Sequence, residues 1–220
     1  VRMMWGFAFR WRLFSIPVLA AAVSCGRPLL PQSTSGTDWP AYGGNLGGTK
    51  YSALSAINAG NVGQLRVVWT FDTGEEGGLE TQPLVIDGVL FANTPKHHVI
   101  ALDATTGALL WRFDSGVPST GPNRGVSYWQ GGLDRRVFAG VTHYLYALDA
   151  TTGRPIRSFG DGGRIDLRRE LGRDERTQSV QLTSPGVVFH DLIIIGGRVS
   201  ETQGASPGDV RAYDVRTGAL

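Results

Sequence analysis

The sequence has one cysteine and two lysines, and these low counts exclude several classes of function. The single cysteine, Cys25, excludes a disulfide within the chain, and without a Cys-x-x-Cys-His motif these residues cannot attach a haem covalently. Lysine occurs only at Lys50 and Lys96, and the formal net charge is +2. Because no stripe of basic residues with interleaved aromatics occurs, we do not expect nucleic acid as a partner.

Charged residues are also few, at 18%, whereas 41% of the residues are hydrophobic, which is typical of a globular chain and not of a disordered one. Glycine and proline are plentiful by contrast, with 31 and 11 copies among 220 residues. Both residues favour tight turns between short elements. The composition therefore predicts an all-β chain.

The first 25 residues have the pattern of an export signal. Residues 1–12 carry three arginines and no acid, and residues 13–24 form a mostly apolar run that ends in small residues. This order of regions is typical of a secretory signal peptide, and the run is shorter than the ~20 apolar residues that cross a bilayer. We therefore expect residues 1–25 to be a signal peptide and the protein to reach the periplasm.

Two kinds of signal processing fit the residues around Cys25. Ala22-Val23-Ser24 before Cys25 resembles a bacterial lipobox, in which the cysteine becomes a lipid anchor, yet lipoboxes usually have a branched residue where Ala22 stands. Ordinary cleavage after a small residue is the alternative. Residues 26–37 are rich in Pro, Ser, Thr and Gly and are expected to be a flexible linker. The folded domain is then expected at residues 38–220.

A repeated segment is the strongest signal in the chain. Ala-Leu-Asp-Ala-Thr-Thr-Gly occurs at residues 101–107 and again at 147–153, and the related Ala-Tyr-Asp-Val-Arg-Thr-Gly occurs at 212–218. The first two copies are 46 residues apart and the third follows after 65, which indicates an insertion between the second and third copies. A period of ~40–50 residues with several strands per unit is typical of a β-propeller, in which each unit is a four-stranded blade.

Four strands can be placed in the first unit. Asp87-Gly88, Pro95-Lys96 and the Thr-Thr-Gly turn separate the strands, which are expected at residues 83–86, 89–94, 98–103 and 109–114. In the turn the aspartate side chain can accept hydrogen bonds from nearby backbone N–H groups, and glycine can adopt the positive φ that closes it. Four strands per unit match one blade.

Two sets of motifs connect the chain with a known family. The first is Ala101-x-Asp103-x-x-Thr106-Gly107-x-x-x-Trp111, and the second is Asp38-Trp39-Pro40-Ala41-Tyr42-Gly43-Gly44 followed by Lys50-Tyr51-Ser52. They resemble the tryptophan-docking motif and the opening segment of the quinoprotein dehydrogenases, eight-bladed propellers that use pyrroloquinoline quinone (PQQ). Arg157 stands where the second docking copy would have tryptophan. The resemblance implies that residues 38–220 are the N-terminal part of such a propeller, about four blades of eight.

Two further segments resemble the glucose-dehydrogenase branch of this family more than the methanol branch. They are Arg124-Gly125-Val126-Ser127-Tyr128 and Gly196-Gly197-Arg198-Val199. Ser119-Thr120-Gly121-Pro122 occupies the stretch where many alcohol-oxidising members have two adjacent cysteines, which again differs from the methanol type. The implied activity is oxidation of a sugar or alcohol hydroxyl, with reducing equivalents passing to PQQ.

Four positions match residues that hold the cofactor or its metal in this family. By resemblance, Glu80 hydrogen-bonds PQQ, Arg124 pairs with a PQQ carboxylate, and Thr183 contacts the cofactor through its hydroxyl. A guanidinium suits a carboxylate because it can bind both oxygens. Glu201 falls where alcohol-oxidising members have a glutamate on Ca²⁺, and either Ca²⁺ or Mg²⁺ would accept such oxygens.

Each of these residues also has a plain structural alternative. Glu80 and Glu201 could be solvated loop acids, Arg124 could form a salt bridge at a blade edge, and Thr183 could serve strand packing. The adjacent histidines His97-His98 suggest a metal or proton-relay pair, but adjacent strand residues point to opposite faces. We therefore expect both histidines at the surface beside a turn.

The resemblance assigns no catalytic base to this chain. In the family, the base and further cofactor contacts come from later blades, so these 220 residues are expected to be inactive and poorly soluble alone. A separate electron acceptor, a quinone or a cytochrome, is the expected partner. PQQ-like repeats also build non-enzymatic scaffolds such as the outer-membrane assembly lipoprotein, and a carbohydrate-binding propeller is a third reading. Glu80 and Arg124 favour the enzyme, because a scaffold has no reason to keep both groups facing the central funnel.

Overall fold

The computed structural model describes residues 38–220, which fold almost entirely into antiparallel β-sheets. The expected signal peptide (1–25), its Cys25 and the expected linker (26–37) lie outside the described residues. Helical structure in residues 38–220 is limited to two 3₁₀ turns, Val62–Gln64 and Glu175–Thr177. None of the helices in that range is long and apolar enough to cross a membrane.

Two sheets have four strands each, and every strand pairs with the next one along the chain. The first sheet consists of β1 (Leu84–Ile86), β2 (Val89–Asn93), β3 (Val99–Asp103) and β4 (Leu109–Phe113). The second sheet consists of β5 (Ser127–Gly131), β6 (Asp134–Val141), β7 (Tyr144–Asp149) and β8 (Arg164–Asp166). The predicted all-β class and the four-stranded unit are confirmed, and each of the four strands placed in the first unit agrees within one residue at its ends.

The remaining strands form a smaller third sheet and an isolated pair. They are β9 (Val180–Gln181), β10 (Val187–Phe189), β11 (Leu192–Ile195), β12 (Arg198–Val199) and β13 (Arg211–Asp214). Strands β10, β11 and β13 form the third sheet, and β9 pairs with β12. The segment between β8 and β10 holds β9 and the 3₁₀ turn Glu175–Thr177, and its residues Leu167 and Leu171 are buried in the core.

The second sheet is buried on both faces. Val137, Ala139 and Val141 of β6 pack in a cluster shared with the first sheet, whereas Phe138, between them in sequence, packs in a cluster shared with the third sheet. Successive side chains of a strand point to opposite faces. A strand covered on both sides has no polar alternation, and β6 is accordingly free of polar side chains from Val137 to Val141.

The three repeated turns share one hydrogen-bond pattern. Asp103 Oδ1 accepts bonds from the N–H groups of Thr105 (3.0 Å) and Thr106 (2.7 Å) and from the Thr106 hydroxyl (2.8 Å). Asp149 and Asp214 accept the same three bonds in the other copies. The bonds from Thr106, chiefly that of its hydroxyl, hold the pKa of Asp103 below its ordinary value.

The first two repeated turns each support a tryptophan from an earlier part of the chain. The Trp69 indole lies against Gly107 and donates its N–H to the carbonyl of Ala104 at 3.2 Å. In the same way the Trp111 indole lies against Gly153 and donates to the carbonyl of Ala150 at 3.0 Å. The docking role expected for Trp111 is therefore confirmed, and the closing glycines leave room for the rings because they have no Cβ.

The third turn uses a different aromatic residue. Arg157, which stands at the tryptophan position of the motif, is exposed. Phe159 is fully buried instead and lies against Gly218, and the N–H of Gly160 donates to the Thr217 carbonyl at 2.8 Å. The docking principle thus persists at the third turn with phenylalanine two residues beyond the motif position.

Candidate functional site

Backbone segments that precede three successive sheets lie side by side at one edge of the fold. The N–H of Gln82, ahead of β1, donates to the carbonyl of Arg124, ahead of β5, at 3.1 Å. The N–H of Arg124 in turn donates to the carbonyl of Thr183, ahead of β10, at 3.1 Å. The structure therefore brings the segments of three sequence-predicted site residues together, since Glu80 lies two residues before Gln82.

The side chains of Arg124 and Glu80 are both exposed along this row. One guanidinium nitrogen of Arg124, Nη1, donates to the Thr183 carbonyl at 3.3 Å, and no carboxylate of residues 38–220 forms an ion pair with the side chain. The alternative of a blade-edge salt bridge is therefore not observed. Glu80 has no hydrogen-bond or ion-pair partner in the described part of the chain. Both groups are thus available to a ligand.

A cavity of about 300 Å³ opens beside this row. Its walls are formed by the loop of residues 118–122, by His97 and Thr142, and by residues 181–183. The hydroxyl-bearing residues Ser119, Thr120, Thr142 and Thr183 line it together with apolar Leu182 and two prolines. The volume matches the lower end of the range for ligand sites, about 300–1,000 Å³.

His97 is buried in the wall of this cavity, so the expectation of a surface position was wrong for this residue. Its Nε2–H donates to the Gly121 carbonyl at 3.1 Å, and its Nδ1 accepts from the Ser119 hydroxyl at 2.6 Å. The backbone of His97 has a positive φ of 61°, which turns the side chain inward. His98 points elsewhere, to Glu75, so the two histidines do not form a joint site, as expected.

Two buried asparagines connect the segments that carry Glu80 and Arg124. Asn93 Nδ2 donates to Asn123 Oδ1 at 2.5 Å, and Asn123 Nδ2 donates to the carbonyl of Gly140 at 3.0 Å. The backbone N–H of Asn93 donates to the hydroxyl of Thr81 at 3.1 Å. Since Thr81 follows Glu80 and Asn123 precedes Arg124, this pair sets the spacing between the two candidate cofactor residues.

A buried carboxylate fixes the chain that leads to Glu80. The Glu75 side chain is 3% exposed, with Oε1 at 2.7 Å from His98 Nδ1 and 2.5 Å from Arg112 Nη2. Its Oε2 accepts from the Lys96 N–H at 2.7 Å. Burial raises the pKa of Glu75, but the hydrogen bonds from Thr94, Lys96 and His98 outweigh it and leave the pKa below its ordinary value.

Glu201 forms no hydrogen bond with the other candidate residues. It is exposed in the segment between β12 and β13 and makes no hydrogen bond or ion pair to any residue of 38–220. Over the same residues, no three His, Cys, Asp or Glu side chains lie close enough together to hold a metal ion. One carboxylate falls short of the 6–8 oxygens that Ca²⁺ takes. The metal role of Glu201 therefore stays a prediction.

Sequence reasoning missed several residues that shape the site. Asn93 and Asn123, Glu75, and the cavity residues Ser119, Thr142 and Gln181 were not singled out for this role. For Asn93 a signal was available, because an amide that ends the apolar run of β2 is an unusual polar group in a core strand. For the other residues, the contacts that bring them to the site are with residues far away in the sequence, so no local pattern indicates them.

Comparisons with known proteins agree on one family. Residues 39–220 match the family model described as PQQ, glucose/ethanol/alcohol dehydrogenase, β-propeller domain. The dehydrogenase subunit of an alcohol dehydrogenase (quinone) from Gluconacetobacter polyoxogenes is 36% identical over 191 residues, which covers 83% of this chain and 24% of the relative. Quinoprotein glucose dehydrogenase A from Acinetobacter calcoaceticus is 31% identical over 218 residues, which covers 84% and 27%.

A solved structure is similar in fold as well as in sequence. The quinohemoprotein alcohol dehydrogenase of Comamonas testosteroni superimposes with a TM-score of 0.68 and 29% identity, over 83% of this chain and 26% of that one. The chain thus spans about a quarter of the length of the curated relatives that it matches.

Proposed function

The chain belongs to the glucose/ethanol/alcohol dehydrogenase β-propeller family that is named for PQQ, and we propose that it supplies part of the PQQ-binding wall of a dehydrogenase. The substrate class in this proposal is a sugar or alcohol hydroxyl. The observation that carries it is the hydrogen-bonded row Gln82, Arg124, Thr183 beside the 300 Å³ cavity. Arg124 brings a guanidinium to this row, and Thr183, which also lines the cavity, brings a hydroxyl. Glu80 adds a carboxylate two residues before Gln82.

The residues present fit a cofactor that carries carboxylates. A guanidinium has five N–H donors, and Arg124 uses one nitrogen on a backbone carbonyl, so a two-pronged contact to a carboxylate remains open. Glu80 can accept a hydrogen bond, and Thr183 offers a hydroxyl that can donate or accept. When bound, PQQ supplies the quinone that takes up the reducing equivalents of the substrate.

The chain's own part in catalysis is to bind and orient. Arg124 holds the anionic edge of the cofactor, and the Asn93–Asn123 pair keeps the Glu80 segment at a fixed distance from it. The 118–122 loop and Leu182 form one side of the cavity. Polar contacts of this kind become stronger where water is excluded. No residue of 38–220 is assigned the role of the general base.

Several narrower points belong to the proposal. The Arg124-Gly125-Val126-Ser127-Tyr128 segment and the cysteine-free 118–122 loop support the glucose-dehydrogenase branch. A Ca²⁺ or Mg²⁺ ion with Glu201 as one ligand is proposed from the family resemblance only, and no catalytic step is derived through it. A separate quinone or cytochrome is proposed as the electron acceptor.

The test is a PQQ titration of the full-length protein and its Arg124→Gln variant, followed by absorbance. A hydrogen bond to a charged group contributes about 1.5–3 kcal/mol, so we expect the variant to bind roughly 10- to 100-fold more weakly. Arg157→Gln is the matched control, because Arg157 is exposed and has no partner in the described residues. If the unaltered protein does not bind PQQ, the dehydrogenase proposal is wrong and the scaffold reading is favoured.

The location of the protein is proposed separately. We propose export to the periplasm, with Cys25 as a lipid anchor or with ordinary cleavage of the signal. The mass of the mature N-terminal peptide distinguishes these two products, because only the first carries acyl chains. A mature protein that retains residues 1–25 would contradict both.

A further inference from the structure

We propose that His97 is a positioning residue that fixes the loop of residues 118–122 as one wall of the cavity. The inference concerns a residue that the family resemblance did not assign, and it rests on the proposed function for the meaning of that cavity. It can be tested without the cofactor, since it predicts the mobility of a defined loop.

Within the part of the chain that the structure describes, His97 takes part in every hydrogen bond of the loop. Among residues 38–220, the only hydrogen bonds to the loop are the Ser119 hydroxyl to His97 Nδ1, at 2.6 Å, and His97 Nε2–H to the Gly121 carbonyl, at 3.1 Å. Both bonds end on one imidazole. If this ring is removed, the loop is left with van der Waals contacts and the stiffness of its two prolines, Pro118 and Pro122.

His97 is itself held rigidly. It lies in the turn between β2 and β3, where its N–H donates to the Thr94 carbonyl at 2.9 Å and the Thr94 N–H donates to the His98 carbonyl at 2.8 Å. The residue as a whole is 5% exposed. The ring nitrogens are both used, because the Gly121 carbonyl can only accept and so places the proton on Nε2. The first sheet thus reaches across to the loop ahead of the second sheet through one fixed side chain.

This connection explains how the loop can serve as a wall. A loop that must become ordered when a ligand binds lowers the affinity, because the ordering opposes binding. A loop that is already fixed removes that penalty. His97 therefore acts on affinity through the 118–122 loop, because both of its ring nitrogens are bonded to that loop.

The first experiment measures loop mobility without PQQ. A spin label at Thr120→Cys, an exposed position of the loop, reports mobility in the full-length protein once its other cysteines, Cys25 among them, are replaced by serine. We expect the label to be restrained in the background protein and mobile when His97→Asn is added. Asparagine tolerates a left-handed backbone but is too short to reach both partners. His190→Asn is the matched control, because His190 also has a positive φ, 53°, but is exposed.

Two variants of Ser119 keep the test decisive if His97→Asn does not fold. Ser119→Ala removes one of the two bonds and leaves the buried ring in place, and we expect it to mobilise the label in part. Ser119→Thr keeps a hydroxyl and should restore the restraint. A label that is equally restrained in the background protein, His97→Asn and Ser119→Ala would overturn the proposal.

The second experiment is the PQQ titration with the same variants but without the label. Loss of one or two net hydrogen bonds corresponds to a change in the loop equilibrium of about threefold to tenfold per bond, and we expect PQQ affinity to fall within that range. A mobile loop with unchanged PQQ affinity would overturn the positioning role. If neither the variant nor the unaltered protein binds PQQ while the label responds as expected, the fixation of the loop stands and the proposed function fails.

Discussion

Single glycines determine how closely the repeated turns approach their neighbours. Gly153 closes the second turn with a φ of 70°, and a Cβ there would lie 2.5 Å from the Trp111 ring. Gly162 has a similar φ of 64° but no heavy atom within 4 Å of the same point. A comparison of substitutions at the two positions therefore separates the energetic cost of backbone strain from that of the contact with the indole.

We expect Gly153→Ala to lower the free energy of unfolding by about 3 kcal/mol. Roughly 1–2 kcal/mol comes from the left-handed backbone, and an overpacked ring contact adds about 1–3 kcal/mol. Gly162→Ala should show the backbone part alone. Urea unfolding of both variants measures the difference. Equal reductions in the free energy of unfolding would show that the contact with the tryptophan does not affect stability.

The buried amide pair gives a second prediction at this scale. Asn93→Ala leaves the Gly125 carbonyl without the donor that Nδ2 provides, whereas Asn123 Oδ1 keeps the N–H of Gly125 as a donor. An unsatisfied buried acceptor costs about 1–3 kcal/mol. We expect a loss of stability in that range from urea unfolding. Gln203→Ala is the control, because Gln203 is exposed and makes no hydrogen bond in the described residues. A loss no larger than that of the control would contradict the prediction.

His97 shows where residue-level reasoning from the sequence fails. The expectation that it would lie at the surface came from its position beside a turn, and alternation of side chains holds only while the backbone is extended. At His97 the φ of 61° breaks that condition and turns the ring toward the 118–122 loop. A left-handed histidine cannot be recognised from its neighbours in sequence, so this position was not predictable.

Strands could be predicted where the turns between them have a recognisable sequence. Asp87 and Gly88 have φ values of 49° and 76°, and the Asp-x-Thr-Thr-Gly turn binds itself through one carboxylate. Both signals are local, so the strands between them could be placed within a residue. Phe159 was not predicted as the third docking residue, because its burial depends on contact with Gly218, 59 positions further on.

The candidate site was predictable in part for the same reason. Family motifs indicated Glu80, Arg124 and Thr183, and the structure places their segments in one row. The sequence could not show that Asn93 and Asn123, which are 30 positions apart, share a hydrogen bond. Contacts between sheets depend on the packed fold and not on local pattern.

At the scale of elements, the Glu75 cluster joins the segment before β1 to strands β3 and β4. The pKa of Glu75 lies below its ordinary value of 4.5. A carboxyl group whose folded pKa is lowered stabilises the fold above its unfolded pKa, and this contribution disappears as the pH falls through the folded pKa. The charged and titratable side chains that face it are His98 and Arg112, with Asp114 behind His98.

We expect Glu75→Gln to lower the free energy of unfolding at pH 6. Below pH 4.5 we expect the free energy of unfolding of the variant to fall less with decreasing pH than that of the unaltered protein. The physical reason is that the amide has no proton to take up in this range. Glu76→Gln, at an exposed neighbour, is the control. Urea midpoints measured at pH 6 and below pH 4.5 decide the matter, and identical pH slopes in the two variants would contradict the expectation.

At the scale of the whole molecule, the third sheet has one face covered and the other exposed among residues 38–220. Val188 and Ile193 pack toward the second sheet, whereas Val187, Phe189 and Leu192 remain 55%, 47% and 41% exposed on the other side. Contiguous apolar surface of this kind favours association. The open face thus supports the expectation that these 220 residues are poorly soluble by themselves.

We expect the 220-residue chain alone to self-associate and Phe189→Lys to reduce that association, because a charge would have to be buried in the contact. Leu133→Lys is the control, since Leu133 is 99% exposed in a turn and belongs to no cluster of the described residues. Sedimentation velocity gives the mass distribution of each variant. The same distribution for both would mean that the open sheet face does not mediate association.

The docked aromatics give the architecture a direction. Trp69 rests on the turn of the first sheet, Trp111 of the first sheet rests on the turn of the second, and Phe159 rests on the turn that follows the third. Each unit therefore has a turn that receives an aromatic ring from the preceding unit, and an aromatic residue that packs on the turn of the next unit. The turn and the aromatic residue of one unit lie in one continuous segment of sequence. Duplication of that segment in a gene therefore adds a unit that can pack on both of its neighbours. The number of units in such a protein can then change by copying, without a new interface having to arise.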